Sequence, residues 1–80
     1  MNREEIKERA TSIFRDVLED DTLELFDAMT AADVDGWDSL AHMQLISELE
    51  DEFSINFTLG EINNFKNVGE LLSCIEKHLG

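Results

Sequence analysis

The chain has 80 residues, enough for one small domain that buries only roughly 60% of the surface its unfolded form exposes, which excludes a deep internal active site. Six Lys and Arg stand against nineteen Asp and Glu, a formal charge of −13 that disfavours nucleic acid and anionic lipid and suits basic protein surfaces. A hydrophobic fraction of 42%, with five Phe and one Trp, supplies a single core and excludes a disordered acidic tail.

The opening Met1-Asn2-Arg3-Glu4-Glu5 is too acidic for a signal or transit peptide. Ile6, Ala10, Ile13 and Val17 recur at helical spacing with Phe14 beside them, which predicts an amphipathic helix from about Glu4 to Leu18. Asn2 and Glu5 form a capping pair for its start. From Glu19 to Asp38 acidic clusters, Thr22, Thr30 and Gly36 interrupt Leu23, Leu25, Phe26, Met29 and Val34. A loop of that length in a compact domain either packs its own apolar residues on the core or contains a short helical turn.

Leu45, Ile46, Leu49 and Phe53 make the next stripe, between the Asp38-Ser39 start and the Phe53-Ser54 break, with Asp38 as N-cap. Ile55-Asn56-Phe57 is the one strand-like alternation and is too short for a sheet. Thr58-Leu59-Gly60-Glu61 reads as a capping box for a short helix ending near Phe65. Val68, Leu72, Ile75 and Leu79 define the last helix, closed by Gly80. The predicted architecture is all-α, one domain over residues 1–80: three main helices, one short helix and a long first loop. The lone Cys74 permits no internal disulfide, which fits a reducing compartment. No apolar run reaches the length of a membrane span. The expected location is the cytoplasm and the expected state a monomer.

Ser39 falls immediately after the cap of the second main helix. There, free backbone N–H groups and the positive end of the dipole favour a phosphate ester on its hydroxyl; position alone fits an ordinary helix-start serine better. On the outer face of the same helix lie Leu40, Gln44, Ser47 and Asp51, with Met43 to the side, so Leu40 is apolar where water is expected. It is either a contact for a docking protein or is covered by the loop.

The string Asp35-Gly36-Trp37-Asp38-Ser39-Leu40 resembles the phosphopantetheine attachment signature of the acyl and peptidyl carrier proteins. The order of elements around it also resembles that family along essentially the whole chain: a long acidic loop, the helix end Glu48-Leu49-Glu50-Asp51-Glu52-Phe53, and two further helices. The resemblance implies an acyl-carrier-like bundle and a carrier that is not an enzyme. It further implies that Ser39 bears 4′-phosphopantetheine donated from coenzyme A, with Asp38 as its motif neighbour. A phosphopantetheinyl transferase, a loading enzyme for acyl or aminoacyl groups, and a downstream acyltransferase or synthase with basic docking surfaces are the implied partners. Trp37, Leu40, Met43, Glu48 and Asp51 are the candidate contact residues. Carriers of fatty acid synthesis commonly have acidic residues two and five positions after the serine, where this chain has Ala41 and Gln44; with Gly36-Trp37, this leans toward a specialised pathway for polyketide, nonribosomal peptide or unusual acyl units.

Other chemistries fit less well. A hydrolase built from Asp38, Ser39 and His42 lacks an order that lets the acid orient the base, and His42 reads as a core histidine. An EF-hand loop from Asp33 fails at Trp37, Asp38 and Gln44. No metal site is expected: Cys74 lacks a ligand set and reads as a small core residue, and His78 is expected to serve the end of its helix. The competing function is an acidic protein-interaction module without a prosthetic group.

Overall fold

A computed structural model describes residues 1–80. The first helix, α1, spans Arg3–Leu18; the Asn2 side chain caps it by accepting the Glu5 N–H at 2.8 Å. Its buried face is Ile6, Ala10, Ile13 and Phe14. Glu19, in the left-handed region at φ 53°, ends the helix and returns its N–H to the Arg15 carbonyl.

The long loop does both things its length demands. It buries Leu25 and Met29 in the core and makes a 3-10 turn at Ala31–Asp33. Asp33 Oδ2 accepts from the Thr30 N–H and hydroxyl at 3.0 and 3.2 Å, so this carboxylate is occupied in local capping rather than in a calcium loop. Downstream, the Met29 carbonyl accepts the Val68 N–H at 2.8 Å and the Asp27 carbonyl accepts that of Gly69 at 2.9 Å. These bonds occupy two donors at the start of the last helix and fasten the loop there. A side chain at Gly69 would press on the Asp27 backbone, its Cβ only 3.0 Å from the carbonyl oxygen.

Helix α2 covers Ser39–Phe53, and Asp38 caps it by accepting the Ala41 N–H at 2.8 Å. Leu45, Ile46, Leu49 and Phe53 are buried, as their spacing predicts. Ser54, at φ 55°, closes it. Ile55 and Phe57 are buried and Asn56 is exposed, so the two-residue period marks an extended segment laid on the core without forming a strand.

The short α3 spans Leu59–Asn64 and starts with the capping box: Thr58 Oγ1 accepts from the Glu61 N–H at 3.1 Å, and Glu61 Oε1 accepts from the Thr58 N–H at 2.8 Å. None of its residues is buried. The last helix, α4, runs Val68–Leu79 and buries Val68, Gly69, Leu71, Leu72 and Ile75. Leu79, the last apolar residue of the predicted stripe, is 37% exposed, because it lies on the final turn, beyond the covering elements.

Packing of α1 against α2 and α4 gathers sixteen hydrophobic residues into one core. Phe14, Leu49, Leu72 and Ile75 are fully buried, each contributing about 1.5–3 kcal/mol relative to an exposed side chain. The result is the all-helical bundle that the periodicity predicts, with the long loop leading into the start of α2.

Candidate functional site

Ser39 is the first residue of α2 and is exposed. Asp38 satisfies two amides of the first turn, Ala41 through its side chain and His42 through its carbonyl at 2.8 Å. The Ser39 and Leu40 amides are left for solvent or an anion, since the first helical N–H groups have no partner within the helix. An anionic ester on the Ser39 oxygen therefore meets backbone donors and the positive end of a helix of 15 residues. These residues fit a phosphodiester-linked arm: a hydroxyl open to solvent, donors beside it, and no wall to obstruct a long substituent.

The ground behind Ser39 is built by Trp37 and His42. The half-buried Trp37 ring stands edge-on against Phe14 of α1, centroids 5.2 Å apart at 86°, and lies nearly parallel to His42 at 6.1 Å and 22°. Its Nε1–H donates to His42 Nδ1 at 3.2 Å. That bond makes Nδ1 the acceptor, so the other ring nitrogen, Nε2, carries the proton and donates to the Ile62 carbonyl of α3 at 3.2 Å. Both nitrogens are engaged and neither is left for Ser39, so no hydrolase triad is assembled. A groove bordered by Ala31, Trp37, His42, Met43, Ile62 and Asn63 runs from Ser39 across this floor.

On the outer face of α2, Leu40 is 79% and Met43 52% exposed; the loop does not fold over either. Gln44, Ser47 and Asp51 are exposed and Glu48 is half-buried. The face thus begins apolar beside Ser39 and becomes acidic toward Phe53. Leu59, at the start of α3, is 76% exposed and Phe26, in the loop, 51%; neither is singled out by the sequence, because apolar residues without a partner in the periodic stripe read as loop packing.

Cys74 packs against the core as expected, while His78 is placed differently from the expectation. Cys74 is half-buried and its thiol donates to Glu61 Oε2 at 3.2 Å. His78 bonds the same carboxylate rather than the end of its own helix, with Nε2 3.0 Å from Oε1, and its ring meets the Phe57 ring edge-on at 5.7 Å. Desolvation, followed by the Glu61 carboxylate, pushes the Cys74 thiol up to about 11. This thiol is protonated near neutrality and is a poor nucleophile.

The phosphopantetheine attachment site family matches residues 8–75. An acyl carrier protein of Thermotoga maritima is 32% identical over 79 residues, covering 99% of this chain and 98% of its own length. Among solved structures, a holo acyl carrier protein from Geobacter metallireducens superposes with a TM-score of 0.87 at 44% identity, over 92% of this chain and 85% of that one. A putative acyl carrier protein from Mycobacterium tuberculosis gives 0.81 at 30% identity, over 90% and 96%.

Proposed function

Since this chain belongs to the acyl carrier proteins, carriers of a phosphopantetheine arm rather than enzymes, we propose that Ser39 is the residue to which the arm is joined. The observation that carries this is the exposed Ser39 hydroxyl at the start of α2, beside the amides that Asp38 leaves free. Attachment there forms an Oγ–phosphorus bond; the serine proton is lost and the 3′,5′-ADP portion of coenzyme A departs. When bound, the arm supplies a thiol that holds an acyl or aminoacyl group as a thioester. The chain's own part is to present that group: a tether raises its concentration at whichever enzyme has docked.

Docking is assigned to the outer face of α2. Leu40 and Met43 offer apolar contact next to Ser39, and Glu48 and Asp51 attract a basic partner surface. Trp37, packed against Phe14, supports the turn that carries Asp38 and Ser39 from behind. Ala41 and Gln44 stand where carriers of fatty acid synthesis commonly have acids, and this supports work in a specialised pathway.

Incubation with coenzyme A, magnesium and a broad-specificity phosphopantetheinyl transferase tests the assignment by mass spectrometry. One phosphopantetheine adds to the folded wild-type chain and none to Ser39→Ala. Modification of a different serine, or a folded chain that stays unmodified with several such transferases, refutes it.

A further inference from the structure

Away from Ser39, one cluster of ligand-type side chains stands together. Glu61, in the first turn of α3, and Cys74 and His78, on α4, bring a carboxylate, a thiol and an imidazole within 4.8 Å of one another. Four positions apart on a helix, Cys74 and His78 share a face. Oε2 of Glu61 lies 3.2 Å from Cys74 Sγ and 3.1 Å from His78 Nε2. The groups are also held in place: the Thr58 N–H fixes Oε1 at 2.8 Å, and Phe57 supports the His78 ring.

We propose that Glu61, Cys74 and His78 form a three-ligand site for a zinc-class divalent ion that pins α3 to α4. The chemistry of the set decides the metal. Thiolate and imidazole select a borderline-soft ion and discriminate against magnesium and calcium, which prefer oxygen. Ligands at about 2.0–2.3 Å from a tetrahedral zinc lie roughly 3.3–3.7 Å from one another, so the two separations from Glu61 need only a small outward movement, and the thiol and imidazole already lie within 4.8 Å of each other. The hollow bordered by Asn67, Gly69, Ser73 and Lys77 opens onto Glu61 and Cys74, leaving a path for the ion and a fourth position for water. The metal–sulfur bond replaces the S–H bond and the proton passes to solvent; His78 binds through Nε2 with its proton on Nδ1. Desolvation and the neighbouring carboxylate keep the metal-free thiol protonated, and the ion supplies the positive charge that makes the thiolate stable there.

The consequence reaches beyond the cluster. Because α3 buries none of its residues, a metal bond at Glu61 stiffens the helix whose Ile62 carbonyl holds His42. The site does not depend on what Ser39 carries.

The test uses the full chain bearing Ser39→Ala, so that Cys74 is the sole thiol, with zinc and cobalt(II) as probes under a non-chelating reductant. Titration calorimetry should find one zinc per chain, and cobalt should give the charge-transfer band of a thiolate ligand together with intense tetrahedral ligand-field bands. Cys74→Ser and His78→Gln should each weaken zinc binding by more than the roughly 10–100-fold that loss of an outer-sphere partner costs, and excess calcium should not displace it. Circular dichroism checks folding; the partly exposed His78 gives a variant that keeps its fold even if Cys74→Ser does not. Zinc binding of unchanged strength in His78→Gln, displacement of zinc by calcium, or no thiolate band in the folded protein overturns the proposal.

Discussion

Glu61 accepts hydrogen bonds from the Thr58 N–H, the Cys74 thiol and His78, and these donors, in that order of effect, hold its carboxyl down at about 2. Unfolding returns the group to an ordinary value near 4.5. A carboxyl whose pKa is depressed in the folded state stabilises the fold above the unfolded value and loses that contribution as pH falls through the folded one. The stability difference between wild type and Glu61→Gln should therefore be constant above about pH 5 and shrink between about pH 4.5 and pH 2. Melting temperatures of the two chains across that range check it, and a difference that does not change with pH would refute it. Little of this was visible beforehand. Thr58 and Glu61 are three apart and read directly as a capping box, whereas Cys74 and His78 reach Glu61 across 13 and 17 positions. Local pattern carries no information about which face of α4 a six-residue helix will lie against.

At the level of the helices, the proposed docking face of α2 lies opposite its core face. Leu49 is fully buried and Leu40 is 79% exposed. Leu49→Ala should cost about 2–5 kcal/mol of stability, the usual range for emptying a core site. Leu40→Ala should leave melting near wild type while slowing partner-dependent loading of the arm, and reversing Glu48 and Asp51 to Lys should reduce the salt dependence of association. Thermal melts and loading rates across this set separate the faces; a Leu40→Ala chain as unstable as Leu49→Ala would mean that Leu40 is core. The starts of α1, α2 and α3 were legible because Asn2, Asp38 and Thr58 cap them, and α4 because Val68, Leu72, Ile75 and Leu79 recur at helical spacing. The setting of Trp37 was not. Its partners come from α1 and from the next helix, and residue order does not reveal that the loop turns the Trp37 indole inward toward Phe14 instead of outward beside Leu40.

For the molecule as a whole, charge alone fits an acidic interaction module as well as a carrier, and the family match over residues 8–75 decides for the carrier. The formal charge of −13 spread over so small a body works against the compact state. Added salt, or magnesium in the millimolar range, should raise the melting temperature by screening it; a flat or falling series would contradict this account. No helix is long and apolar enough to cross a membrane. A free imidazole a few residues from Ser39 is the kind of group that acts as a general base. By engaging both nitrogens of His42, one with the Trp37 indole and one with the Ile62 carbonyl, the fold withholds that base. The start of α2 therefore offers Ser39 no free imidazole.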